Sequence, residues 1–286
     1  MALTVRTSTS ALHAIKTLQQ TQNNLSQSLK RVSSGSRINK AGDDAAGLSI
    51  SSRMKSDNVS LKAAMRNTND TISLIQTAEG GLNEIYSILT RMKEITVQAS
   101  NDTYASTERA QMKIEFNQMR IEISRITHNV NFNRISLLNS TKTIQFQVGI
   151  NNASNNQFTI AMTTIAVTIG ALGLCSCPGV DANIHATTGS ASVAKIRNTI
   201  TIIDNALSTV NDRRARLGAF QNRLESTLNA AANYSQNLSS ASSRISDVDY
   251  ASESANLTKF QILQQAGVAA LGQAKAIPQS ILSLLG

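Results

Sequence analysis

Apolar residues recur in unbroken steps of three and four along one stretch of the chain. They run through Val193, Ile196, Ile200, Ile203, Leu207, Val210, Leu217, Leu224, Leu228, Ala231, Leu238 and Ile245, with Arg214, Gln221, Ser235 and Ser242 filling the remaining places. That spacing belongs to helices wound on other helices. No proline interrupts it, and Gly218 is its only glycine. A single helix over Val193–Ile245 is longer than a compact domain of this chain length is wide, which predicts an elongated rod. Its stripe requires helices of comparable length to cover it.

Other stripes supply them. Ala11, Ile15, Leu18, Gln22, Leu25, Leu29 and Val32 make an amphipathic helix that Gly35 ends. Leu61, Met65, Thr68, Ile72, Ile75, Ala78, Leu82, Ile85, Leu89 and Met92 make a second long stripe. Gly80-Gly81 inside it costs about 1 kcal/mol per glycine and predicts close approach by a neighbour. Asn101-Asp-Thr103 breaks that helix. Met112, Phe116, Met119, Ile123, Ile126 and Val130 follow, and Ile114, Ile121 and His128 form a second face that predicts contact on both sides. His128 reads as a core or interface residue. Near the end, Phe260, Leu263, Gly267, Ala270, Ala274, Ile277, Ile281 and Leu284 step by three and four, and Pro278 predicts a kink or restart.

In the middle the period shortens. Ile144, Phe146 and Val148 alternate with polar residues, and Phe158 and Ile160 predict a returning strand across a loop at 149–156. Ile165 to Leu174 is β-branched at first and then glycine-rich. The fold class is mainly α: long coiled-coil-like helices, the N- and C-terminal ones paired, with a small β-hairpin region between. The expected divisions are 1–44, 45–145, 146–190, 191–240 and 241–286.

Composition supports helical seams rather than a large globular core. Of the 286 residues 41% are hydrophobic but only 3% aromatic, with no Trp and 2 Pro. The net charge of +9 raises the question of nucleic acid. No dense Lys/Arg run with interleaved aromatics appears. Arg213, Arg214 and Arg216, within one helical turn, are the nearest thing, so the excess reads as scattered. The first ten residues have no apolar core, and Ala161–Cys175 is too short to span a bilayer. The expectation is a soluble chain that leaves the cell, if exported, without a cleaved signal.

Candidate chemistry is sparse. Asp43 and Asp44 sit where a helix N-cap and first-turn acid belong and read as a cap or loop pair. Cys175-x-Cys177 is too close for a relaxed disulfide, and His185 adds only a third ligand, so free or intermolecular thiols are expected. His13, His128 and His185 are scattered, and no phosphate loop, nucleophile elbow or zinc helix is present. Neither an enzyme nor a cofactor is expected.

Several ordered motifs resemble bacterial flagellins. They are Ser33-Ser-Gly-Ser-Arg-Ile-Asn-Lys-Ala-Gly-Asp-Asp-Ala-Ala-Gly-Leu-Ser-Ile50, Arg66-Asn-Thr-Asn-Asp70, Ile75-Gln-Thr-Ala-Glu-Gly-Gly-Leu-Asn-Glu84, Met92 to Asn101 and Asn131-Phe-Asn133. Arg216 to Leu224 and Ser243 to Glu253 continue them, so the resemblance spans roughly residues 1–145 and 190–286 and is to a short form with a small central region. It implies a subunit that polymerises into an extracellular helical filament for swimming, exported unfolded through the flagellar type III apparatus. The rivals are a hook–filament junction protein of the same family and a secreted helical interaction protein. The resemblance implies polymerisation through Leu18, Leu25, Leu29, Phe260, Leu263, Ile277 and Ile281. An export chaperone would use Phe260, Leu263, Ile277 and Ile281. Further implied partners are copies of the chain, the filament cap, junction proteins and an animal receptor of the Toll-like class reading Arg91, Ile95 and Glu115. Lys93 and Ile95 depart from the family pattern, where Arg and Leu are usual. Neither nucleic acid nor membrane is implied.

Overall fold

The computed structural model describes residues 9–174 and 190–285. Most of them lie in α1 (Thr9–Ser34), α2 (Ala45–Ala99), α3 (Ser106–Asn129), α4 (Ser190–Ser246) and α5 (Tyr250–Leu285). Short strands β1 (Asn131–Phe132), β2 (Ile135–Ser136), β3 (Thr143–Gln147) and β4 (Gln157–Ala161) lie between α3 and α4. The chain forms two compact units, Met1–Asn58 with Gln236–Gly286, and Val59–Ser235. Both boundaries fall inside helices, α2 and α4.

The predicted period of α4 is realised position by position. Ile196, Ile203, Val210, Leu217, Leu224, Ala231 and Leu238, each seven residues from the last, are all buried. Ile200, Leu207, Gln221 and Leu228, the intervening four-step places, are half-buried. A strict seven-residue repeat keeps one face of the helix on its partners over its whole length.

On α2 the buried seam differs from the apolar ladder at two steps. Leu61, Ala64, Thr68, Thr71, Ile75, Ala78, Leu82, Ile85, Leu89, Met92, Thr96 and Ala99 are buried, while Met65 and Ile72 are only half-buried. Threonine fits because each hydroxyl turns back on its own helix. Thr68 donates to the Ala64 carbonyl at 2.9 Å, Thr71 to Asn67 at 2.7 Å and Thr96 to Met92 at 2.7 Å. With the polar group satisfied, the methyl faces the core.

The core of the second unit gathers α2, Phe116 and Ile123 of α3, Ile203 to Leu224 of α4, and the connecting segment. In that segment β3 and β4 pair antiparallel, Phe146 opposite Phe158, across the expected loop. Phe158 is buried with its ring edge-on to Phe220 at 5.5 Å. β1 and β2 form a tighter hairpin that alternation did not reveal, turning through Asn133 and Arg134 at φ 47° and 65°. Positive φ at both central residues is what a type I′ hairpin turn requires, and Arg is an unusual choice for one of them. Ile165, Val167, Leu172 and Leu174 are buried without forming a strand.

Gly80 and Gly81 separate. A Cβ on Gly81 would lie 2.7 Å from Val130 Cγ2 and 3.1 Å from Leu138 Cδ1, so the expected close approach is there. At Gly80 nothing lies within 4 Å.

Candidate functional site: the faces each unit leaves open

In the first unit α1 and α5 pack together. They run antiparallel: Arg31 Nη1 lies 3.8 Å from Glu253 Oε2, and a Cβ on Gly267 would lie 3.1 Å from Leu18 Cδ1. The seam on α1 passes through Leu18, Thr21, Leu25, Ser28 and Val32, with Thr21 and Ser28 the buried members. The apolar ladder had Gln22 and Leu29 in those places. Thr21 satisfies its hydroxyl on the Thr17 carbonyl at 2.9 Å and so tolerates burial.

The consequence is a row of large apolar side chains facing outward. Leu12, Ile15 and Leu29 on α1 are 57%, 44% and 50% exposed, and Ile262, Leu263 and Val268 on α5 are 60%, 44% and 57% exposed. Of the residues expected to polymerise, Leu18, Leu25 and Phe260 are half-buried, whereas Leu29 and Leu263 are on the open side. The side chains of Ile277 and Ile281 lie outside the described residues. α5 itself continues as helix through Pro278, where a kink or restart was expected.

The linkers after α1 and after α4 are clasped to each other. Arg37 N donates to the Ser246 carbonyl at 2.7 Å and Val248 N to Gly35 at 3.0 Å. Arg37 Nη2 adds a bond to the Ile245 carbonyl at 3.0 Å. Gly35 sits at φ +69°, a torsion that calls for glycine. Asp44 caps α2, accepting from Gly47 N at 2.8 Å. Asp43 accepts from the backbone N–H groups of Asn39 and Lys40, each at 3.0 Å, and these hold its carboxyl below the usual range. Both acids are structural, as their positions predicted. Replacing Asp44 by Ala should cost about 1 kcal/mol of first-unit stability, read as an earlier melt of that unit in hydrogen exchange. No change would show that the clasp alone positions the start of α2.

In the second unit Arg91 is exposed and bridges two acids, Glu94 at 2.9 Å and Glu115 of α3 at 3.1 Å. Those hydrogen bonds, Glu94 first, raise its already high pKa. Lys93 pairs with Asp204 of α4 at 2.6 Å. Ile95, grouped with Arg91 and Glu115 by the resemblance, is only 2% exposed. It is a seam residue, because Met92, Ile95 and Thr96 share the inward side of α2 while Arg91 points outward. Arg91 and Glu115 are therefore on the surface of this unit and Ile95 is not. His128 is exposed, with Nδ1 2.7 Å from the Ser124 carbonyl, so it is not a core residue.

Two functions of arginine were not read from sequence. Arg109 is 3% exposed and holds the α2–α3 turn, donating to the Asn101 carbonyl and to Asp102 Oδ1, both at 3.1 Å. The Arg213–Arg216 cluster is spent internally in part: Arg213 donates to the Thr164 carbonyl at 2.7 Å, and the Arg214 guanidinium lies 5.7 Å from the centre of the Tyr86 ring. Among the described residues no group of three or more His, Cys, Asp or Glu is placed to hold a metal, and no helix is long and apolar enough to cross a membrane. Cys175, Cys177 and His185 lie outside the described residues.

Paired terminal helices and a long seam, in this order along the chain, match known proteins at both ends. The family model described as the bacterial flagellin N-terminal helical region matches residues 5–143, and the one for the C-terminal helical region matches 200–285. The chain belongs to the bacterial flagellin family. It is 41% identical to a flagellin of Halalkalibacterium halodurans over 96% of this chain and 97% of the relative. It is 36% identical to the flagellar filament 33 kDa core protein of Treponema phagedenis, over 96% and 97%. A solved structure of a putative flagellar hook-associated protein from Vibrio parahaemolyticus shares the fold, with a TM-score of 0.60 at 13% identity, over 72% of this flagellin and 100% of that chain. Flagellins are structural proteins.

Proposed function

We propose that this flagellin is the structural subunit of a helical filament that serves swimming motility. The observation that carries the reading is the first unit. Its two helices cover each other along a seam of Leu18, Thr21, Leu25, Ser28 and Val32, leaving Leu12, Ile15, Leu29, Ile262, Leu263 and Val268 to water. Exposed apolar rows of this kind mark surfaces that a partner covers. When a surface on one copy meets a different surface on the next, the assembly does not close, and a helical filament results. Residues 1–44 and 241–286 then form the inner tube, 45–145 and 191–240 the rod around it, and 146–190 the outer surface. Electron microscopy of concentrated protein tests this directly. Filaments of uniform helical order support it, and discrete particles would point to the hook–filament junction instead. A salt-dependent shift on DNA would favour the binding-protein reading.

The C-terminal helix suits an export chaperone before assembly, since uncovered apolar residues on it are an aggregation hazard. An amphipathic helix laid into an apolar groove is the expected mode, with Phe260, Leu263, Ile277 and Ile281 as anchors. Phe260→Asp should weaken chaperone binding at least tenfold in calorimetry, and unchanged affinity would remove it from the anchor set. Delivery unfolded through the type III apparatus, growth beneath a cap and an extracellular site complete the proposal.

Recognition by a Toll-like receptor is proposed for the Arg91–Glu115 face, without Ile95. An exposed arginine held by two acids is prepared to exchange one of them for a partner's acceptor. Reporter cells should respond to monomer and not to intact filament. Arg91→Ala and Glu115→Ala should each reduce that response at least tenfold while helix content holds. A response that both substitutions leave untouched would move the site elsewhere.

A further inference from the structure

A hollow of about 500 Å³ opens on the second unit between α2 and the β1–β2 and β3 segments. Leu74, Phe132, Ile135 and Phe146 give it apolar walls, and Asp70 stands at its edge. Asp70 is exposed and engages no cation among the described residues. The hollow therefore suits an apolar side chain with a cation beside it.

The chain carries such a surface. On α3 the buried row of Phe116 and Ile123 is matched by Ile114 and Ile121, 63% and 56% exposed. Residues two apart on a helix point to nearly opposite sides, so this is a second apolar face rather than the edge of the first. Lys113 flanks Ile114 and has no acidic partner among the described residues. Ile114 and Ile121 are two turns apart, roughly 10 Å.

We propose that the hollow of one subunit receives the Ile114–Ile121 face of α3 from a second copy, with Lys113 of that copy meeting Asp70. The proposal rests on the filament reading and names one of its contacts. Hollow and face are separate places on the unit: Glu115 is tied to Arg91, roughly 25 Å along α2 from Leu74. One copy offers the face while presenting a free hollow elsewhere, so the contact passes from copy to copy and stays open, as a filament needs.

The test is charge reversal in the full chain, with polymerisation followed by light scattering and electron microscopy. Asp70→Lys and Lys113→Asp should each raise the critical concentration at least tenfold, and the two together should bring it back to within about threefold of the original. Ile114→Ser with Ile121→Ser should abolish assembly while helix content is kept. Single reversals that assemble normally would assign the hollow to another occupant and overturn the proposal. A double reversal no better than the singles would overturn it too, since the two charges then do not meet. An original chain that forms no filament would instead sink the filament reading, and this contact with it.

Discussion

A chain lacking residues 250–286 should form no filaments at any concentration at which the intact chain polymerises, and yet keep its second unit folded. The main cluster, from Leu74 to Leu224, draws only on the second unit and includes no residue of α1 or α5. Removing α5 deletes Ile262, Leu263 and Val268 and also uncovers Leu18, Thr21 and Leu25 of α1, which lose their neighbour. An isolated α1 of 26 residues with few long-range contacts has little to hold it helical in water. Both faces meant for other subunits are then lost together. Deleting residues 1–33 should act in the same way from the other side. Circular dichroism should lose the share of both terminal helices, the deleted one and the one left without its neighbour, and sedimentation should show monomer. Truncated protein that polymerises at the ordinary critical concentration would show that the terminal faces are not the subunit contact.

The long seams were legible in the sequence because helices of this length repeat one rule many times. On α4 each seventh residue from Ile196 to Leu238 is buried, and sequence spacing alone identifies all of them. The rule loses accuracy where hydroxyl residues take core places. Thr21, Ser28, Thr68, Thr71 and Thr96 are buried, yet a ladder built from apolar residues passes over most of them, because composition does not show which hydroxyls turn back on their own helix. Ile95 was grouped with Arg91 by the resemblance alone, and spacing could not separate the two. Two residues four apart share a side of a helix approximately, and at the margin of a seam that approximation separates a buried residue from an exposed one. The β3–β4 hairpin could be read by alternation, since it has five residues a side. The β1–β2 hairpin has two a side, too few for any period to register. Arg109 was missed for another reason: a lone basic residue near a turn carries no pattern, and its burial depends on the path of the α2–α3 loop.

Adjacent glycines in α2 should respond in opposite directions to substitution. Gly80 is exposed and nothing lies within 4 Å of where its Cβ would be. Gly80→Ala removes backbone freedom from the unfolded chain at no steric cost and should stabilise the second unit by about 0.5–1 kcal/mol. Gly81 is buried against Val130 and Leu138, with the nearest methyl 2.7 Å from the added carbon. Val130 can yield little: it is β-branched, its backbone N–H is bonded to Ile126, and its carbonyl accepts from Leu137 N at 3.1 Å. Gly81→Val therefore forces α2 away from the start of the β1–β2 hairpin and should destabilise the unit by about 3 kcal/mol, at the upper end of what overpacking costs. The disturbance reaches the fully buried Leu138, whose carbonyl anchors Val167 N at 2.9 Å, so the segment at Val167 should loosen along with the helix. Urea unfolding of the monomer, followed by helix signal, reads both changes, and hydrogen exchange at Val167 reads the second separately. Equal small effects at the two glycines would mean that the hairpin moves aside freely. The glycine pair would then serve no packing purpose in this fold.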